Sequence, residues 1–215
     1  YDRTTQTATV VVTDGNGVLK ASVSYIGGGD SASFANTYTS SMTYGTDMNL
    51  TVGKTLNGRA QKAGEFEFSI AGADSTTVTA DEATAKLAES DKSFKTIADA
   101  NSGLQSQMFN LLSGLRFTQA DAGKTFSYVL SEKTGSLGGV TYDESTYQLD
   151  IVVIDDADGT MHTATTIQKT TDKGTERVGT YDGNDGLDRV VLGFTNTYKA
   201  APVKVEATED VQLHK

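Results

Sequence analysis

One short segment occurs twice in this chain, and each copy follows the same kind of sequence. Ala32-Ser33-Phe34-Ala35-Asn36-Thr37-Tyr38 stands near the start and Gly193-Phe194-Thr195-Asn196-Thr197-Tyr198 near the end, with Phe-x-Asn-Thr-Tyr in common. Upstream of each lies a β-branched run, Thr9 to Asp14 and Ile151 to Asp155, followed by a turn, Gly15-Asn16-Gly17 in the first and Asp156-Ala157-Asp158-Gly159 in the second. Tyr1-Asp2 is echoed by Tyr142-Asp143. Self-similarity over long spacing marks a chain built from tandem modules. Residues 1–40 therefore read as the C-terminal strands of a preceding module and 41–200 as one complete module. Residues 201–215 follow Ala200 and include the only proline, Pro202. Their Val211-Gln212-Leu213-His214-Lys215 resembles Leu50-Thr51-Val52-Gly53-Lys54, so they read as the first strand of a following module.

Twenty-two Gly against one Pro, abundant Thr and Ser, and many short Val, Ile, Tyr and Phe runs point to strands and turns. Strand signals fall at 48–57, 65–71, 107–118, 125–132, 146–154, 160–168 and 189–198. About seven strands separated by turns predict an all-β, immunoglobulin-like sandwich. The stretch from Ala71 to Ser106 is longer than such a sandwich needs. It is expected to be partly helical, with Asp81 as N-cap of a helix running to Leu87 and a further turn over Ser93 to Ala98.

Composition also excludes. Net charge is −10, from 18 Lys+Arg against 28 Asp+Glu, so the surface repels a phosphate backbone and nucleic acid is not an expected partner. There is no Cys, and His162 and His214 are the only imidazoles, so neither a metal site nor a cofactor is expected. No apolar run is long enough to insert in a membrane, and the first residues lack the pattern of a secretion signal. With no Leu-Pro-x-Thr-Gly sorting signal either, the chain reads as an internal fragment. Asp156-Ala157-Asp158-Gly159 has Ile154 where a calcium loop needs its first ligand, so a hairpin turn is expected there, and Asp182-Gly183-Asn184-Asp185-Gly186 reads as a polar loop. No nucleophile elbow or phosphate-cradling loop is present.

The informative residues are three polar ones on apolar faces. Alternate side chains of a strand point the same way. Lys54 shares its face with Leu50, Val52 and Leu56, Glu132 with Phe126, Tyr128 and Leu130, and Asn196 with Leu192, Phe194 and Tyr198. A core that buries an ammonium, a carboxyl and an amide is stable only if they compensate one another, since each costs several kcal/mol unpaired. Together in an apolar pocket, desolvation lowers the Lys pKa and raises that of Glu, making the neutral amine accessible. Lys54 can then attack the Asn196 carboxamide, with Glu132 hydrogen-bonding the amide oxygen and shuttling the proton, and ammonia leaves. The product is an isopeptide bond, formed once per molecule.

These residues resemble the pilin isopeptide-linkage domains of Gram-positive surface proteins, a family that includes streptococcal major pilins and repeat-built adhesins. The likeness is carried by Lys54-Thr55-Leu56-Asn57-Gly58-Arg59 with Gly64-Glu65-Phe66-Glu67-Phe68, by Phe126 to Glu132, by Val140-Thr141-Tyr142-Asp143 with Tyr147, and by Phe194 to Tyr198, in that order. It implies a Lys on the first strand, an Asn on the last and a Glu on a central strand, hence Lys54 and Asn196 as the bonded pair and Glu132 as the catalytic group. Asn36 matches the acceptor position and Lys215 the donor position of the two partial modules. The implied function is a structural module of a surface fibre, pilus or adhesin stalk, extracellular and anchored to the cell wall, whose partners are neighbouring modules. Turnover chemistry is not implied. A module that grips host protein or glycan through the 71–106 insert or the strand-connecting loops remains open beside it, and a hydrolase built on paired acidic residues stands last.

Overall fold

A computed structural model describes residues 1–26, 31–106, 109–183 and 188–202. The chain divides into two compact units, Tyr1–Thr39 and Ser40–Lys215. In the first, β1 (Ala8–Gly15) and β2 (Val18–Tyr25) form an antiparallel hairpin with Val10 opposite Val23 and Val12 opposite Ala21. A two-residue connection of this kind needs positive φ at both positions. Asn16 and Gly17 supply it, at 54° and 78°, and the Gly17 N–H donates to Asp14 Oδ1 at 2.9 Å. The register gathers Ala8, Val10, Val12, Leu19, Ala21, Val23 and Tyr25 on one face. That face lies open, with Val10 58% and Leu19 72% exposed.

The second unit is all-β, a sandwich with small additions. One sheet has β10 (Val140–Thr141), β14 (Asp188–Tyr198), β4 (Met48–Asn57) and β7 (Phe109–Leu111), in that order. The other has β13 (Gly174–Asp182), β12 (Met161–Thr171), β11 (Thr146–Asp155), β9 (Thr125–Glu132), β5 (Glu67–Ala73) and β6 (Phe94–Lys95). A separate pair joins β3 (Ser41–Thr43) to β8 (Arg116–Thr118). The two long strands that open and close the unit, β4 and β14, run parallel side by side, from Met48 beside Asp188 to Asn57 beside Thr197.

Alternation along β4, β9, β11 and β14, broken only by the additionally buried Gly53 and Ser127, sends one apolar set inward from each sheet. Phe194 lies at the centre, its ring 5.2 Å from that of Phe68 and 5.3 Å from that of Tyr147, and it is fully buried. Phe194→Ala is expected to lower stability by about 3–5 kcal/mol, read as a fall in the urea midpoint with unchanged slope.

Three local expectations are corrected. The helix α1 (Ala80–Ala85) is capped by Thr79 rather than Asp81: Thr79 Oγ1 accepts from the Glu82 N–H at 3.3 Å and Glu82 Oε2 from the Thr79 N–H at 2.9 Å. This reciprocal box satisfies two otherwise orphan donors, so Thr79→Ala is expected to cost about 1 kcal/mol by thermal unfolding. The second helical turn lies at Glu89–Lys92, while Phe94 stacks on Phe68 at 5.6 Å and takes β6 with it onto the edge of β5. The expected strand 107–118, whose residues 107–108 lie outside those described, is interrupted after Leu111: Leu112 takes φ 56°, the Leu115 N–H returns to Leu112 O, and β7 and β8 join different sheets. β13, a mostly exposed edge strand with no apolar alternation, lies outside the expected strands. Asp156–Gly159 does form the hairpin turn between β11 and β12, with Asp155 and Asp158 carboxylates accepting backbone N–H groups at 2.9 Å.

Candidate functional site

Lys54 sits among Leu50, Val52 and Leu56 on the inward face of β4, and the parallel register sets Phe194 beside it and Asn196 beside Leu56. Lys54 and Asn196 thus lie one diagonal step apart on neighbouring strands, on the same face. Glu132, the last inward residue of β9, meets both from the opposite sheet. Its Oε2 accepts from Lys54 Nζ at 2.6 Å and its Oε1 from Asn196 Nδ2 at 2.7 Å. The Lys54 and Glu132 side chains are 1% and 0% exposed and Asn196 is 0% exposed. Nζ also lies 4.7 Å from the Phe66 ring centroid. The backbone of Lys54 is fixed as well, its carbonyl accepting from the Ser106 N–H at 2.7 Å and from Gln61 Nε2 at 3.0 Å.

Burial dominates the electrostatics of this triad. It pushes the Lys54 ammonium below its ordinary pKa, against the opposing pull of the Glu132 charge and hydrogen bond. It pushes the Glu132 carboxyl above its ordinary range, against the pull of Lys54 and Asn196, with Asp143 adding to the rise. Both shifts favour the neutral amine and the neutral acid over the ion pair.

The Asn196 amide has a defined orientation. Its Oδ1 faces the backbone N–H of Asp143 at 2.7 Å, and since that group can only donate, the atom facing it must be the oxygen. The nitrogen therefore faces Glu132. Glu132, expected on the amide oxygen, meets the nitrogen instead, and Asp143 occupies the oxygen side. In the sequence Asp143 stands both in the Tyr-Asp echo and in the Val140-Thr141-Tyr142-Asp143 segment of the family resemblance, with no role attached to it in either. Its carboxylate is itself held, Oδ2 by the Thr195 N–H at 2.7 Å and Oδ1 by the Ser145 N–H at 2.9 Å. Burial would raise its pKa, but the Ser145 side chain together with the Thr195 and Ser145 N–H groups outweighs that and holds it below the ordinary value.

The first unit contains the same construction. The Asp2 N–H donates to Asn36 Oδ1 at 2.6 Å, while Asp2 Oδ2 accepts from the Ala35 N–H and Oδ1 from the Thr4 N–H, each at 2.8 Å. Asn36 is thus presented as Asn196 is. Residues 1–39 contain no Glu, and their one lysine, Lys20, is on the opposite face of β2 from Leu19 and Ala21. Lys215 lies outside the described residues, as do Asn184, Asp185 and Gly186 of the second polar loop.

Residues 1–39 and 50–199 match the FctA family, described as Spy0128-like isopeptide containing domain. Among solved structures, a point mutant of the major pilin from Streptococcus pyogenes is similar at 17% identity, over 70% of this chain and 50% of that one, with a TM-score of 0.43. The T3.2 major pilin of Streptococcus pyogenes is 13% identical over 74% of this chain and 54% of that one, with a TM-score of 0.33. The T-13 major pilin of the same organism is 15% identical over 72% and 53%, with a TM-score of 0.35. The chain spans about half the length of these pilins. No curated protein matches it.

Proposed function

The chain belongs to the FctA family of Spy0128-like isopeptide-containing domains, and on that premise we propose that residues 41–200 are a structural module of a bacterial surface fibre, closed by an isopeptide bond from Lys54 to Asn196. The observation that carries this reading is one buried carboxyl, Glu132, holding the Lys54 amine on one oxygen and the Asn196 amide nitrogen on the other.

The chemistry balances within the triad. Proton transfer from Lys54 to Glu132 leaves a neutral amine, whose lone pair attacks Asn196 Cγ. A new C–N bond forms and the carbonyl π electrons move onto Oδ1. Glu132 then passes its proton to Nδ2 and takes one from the attacking nitrogen, the C–Nδ2 bond breaks, ammonia leaves and the carbonyl re-forms, so the new amide keeps one N–H and Glu132 ends protonated. The carboxyl contacts the nitrogen that must gain the proton, which suits it to this shuttle. Folding supplies the proximity, and the product cannot react again.

Because β4 and β14 are parallel neighbours, the bond would tie the first long strand to the last, and tension along the fibre would bypass everything between them. That suits a Cys-free extracellular stalk, where no disulfide can serve. In the same reading residues 1–40 complete a preceding module, with Asn36 as its acceptor and the matching Lys and Glu on strands outside 1–39. Residues 201–215 begin a following module with Lys215 as donor, and the partners are neighbouring modules. The 71–106 insert serves the scaffold: α1 packs where a side chain at Gly72 would stand, its Cβ falling 2.3 Å from Ala80 O, and Val78, Ala83 and Leu87 are buried. Digestion followed by tandem mass spectrometry tests the bond. A branched peptide joining Lys54 to Asn196 is expected, and recovery of both residues only in separate linear peptides would end the proposal.

A further inference from the structure

We propose that Asp143 completes the bond-forming site, its backbone N–H serving as oxyanion donor to Asn196 Oδ1 and its carboxylate positioning that N–H. This rests on the isopeptide reading and assigns a part that the Lys-Glu-Asn triad leaves unfilled. When Lys54 attacks Asn196 Cγ, the electron pair displaced from the carbonyl gathers on Oδ1. Glu132 cannot receive it, because both carboxyl oxygens are engaged by nitrogens, Nζ on one side and Nδ2 on the other. The group aimed at Oδ1 is the Asp143 N–H, at 2.7 Å, within the range of an effective oxyanion donor. A backbone donor cannot swing away as a side chain could, provided its peptide plane is fixed.

The carboxylate fixes it. Asp143 Oδ2 is bound to the N–H of Thr195, the residue before the acceptor, and Oδ1 to the N–H of Ser145, two residues on. The side chain thus clamps its own loop to β14 immediately beside Asn196. Without it the N–H and the amide would be joined by a single hydrogen bond.

The second, independent observation is Asp2. It makes the same three hydrogen bonds around Asn36, with Ala35 in place of Thr195 and Thr4 in place of Ser145. That unit contains no Glu and carries its only Lys, Lys20, on the face of β2 opposite Leu19 and Ala21, yet the acceptor is still oriented. The clamp is therefore a property of the acceptor half alone, formed whether or not a donor is at hand. A device that orients the carboxamide before the amine arrives is what electrostatic preorganisation requires.

The test follows bond closure in time. The full chain is prepared unfolded in urea before the bond has formed, refolded by dilution, and sampled for loss of ammonia by intact mass. Wild type is compared with Asp143→Ala and Asp143→Asn, and Lys54→Ala/Asp143→Ala serves to measure folding where no bond can form. Expected is a cooperatively folded Asp143→Ala that closes on the order of 100-fold more slowly. Asp143→Asn, with one acceptor oxygen left for two N–H groups, should fall between. The pH–rate profile should keep its form while its height drops, since Asp143 moves no proton, but it should lie toward lower pH, because the Asp143 charge lost in the variants raises the pKa of both Lys54 and Glu132 in wild type. Closure of Asp143→Ala at the wild-type rate, or a slowing no larger than its loss of folded fraction, overturns the proposal. Should Asp143→Ala not fold, Asp143→Asn decides in the same way. A wild-type chain that never loses ammonia removes the isopeptide reading and this proposal together, whereas normal wild-type closure with an indifferent Asp143 removes only the latter.

Discussion

The purified chain is expected to weigh one ammonia less than its sequence, while Lys54→Ala, Glu132→Ala and Asn196→Ala each keep their full calculated mass. The three variants fail for different reasons. Without Lys54 there is no nucleophile, and without Asn196 no acceptor carbon at that position of β14. Glu132→Ala retains both reactants but removes the group that takes the proton from Nζ and delivers it to Nδ2, so the amide nitrogen would have to leave as an amide anion. Glu132→Gln separates shape from proton transfer. It fills the same space and can still hydrogen-bond Asn196, yet its full mass is expected to persist. The sign of the shift is itself diagnostic, because hydrolysis of a side-chain amide to the acid raises the mass, whereas ligation lowers it. An unshifted wild-type chain, or a lightened Glu132→Gln, would sink the assignment of roles.

The triad was legible because strand periodicity is a strong signal where one face is buried. Lys54, Glu132 and Asn196 each interrupt an otherwise apolar i, i+2 series, and in the structure all three side chains are inward and buried. Pairing of β4 with β14 was not legible from alternation, which says which face is inward but not which strand lies alongside. The parallel register between them depends on the whole chain path. Asp143 escaped because its contribution to the Asn196 oxygen is made by a backbone N–H, and main-chain donors leave no mark on residue type. The edge strand β13 is mostly exposed, with only Tyr181 packed against the core, so burial imposed no period on it. Conversely, the run from Phe109 to Phe117 looked like one strand because Leu111, Leu112 and Leu115 are all apolar, yet the positive φ of Leu112 turns the chain and buries all three around a corner. Thr79 was passed over as a cap for Asp81 although Thr79 and Glu82 have the spacing of a capping box, a signal that was present in the sequence.

Removing one member of the buried pair is expected to destabilise the domain more than removing both. Lys54→Met forms no bond, which forfeits about 5 kcal/mol of loop-closure stabilisation by analogy with a long-loop disulfide. It also strands Glu132, whose side chain is 0% exposed, with only Asn196 as partner. An uncompensated buried carboxylate costs about 3–5 kcal/mol more. The double variant Lys54→Met/Glu132→Leu loses the bond equally but buries no charge. Urea unfolding at neutral pH should therefore rank wild type above the double variant and the double variant above Lys54→Met, the last two separated by about 3 kcal/mol. The pH dependence carries the sign. Burial already raises the Glu132 pKa above its ordinary 4.5 with Lys54 opposing the rise, and without Lys54 it rises further. A group whose folded pKa exceeds its unfolded one binds more protons in the native state, so its relative stability is greatest below the unfolded pKa and is lost as pH climbs through the folded value. The deficit of Lys54→Met against the double variant should accordingly shrink as pH falls toward 4.5 and widen as it rises. Equal midpoints for the two variants at every pH would mean that Glu132 finds water or another partner once Lys54 is gone. The pocket would then lack the desolvation on which nucleophilic attack by a neutral lysine depends.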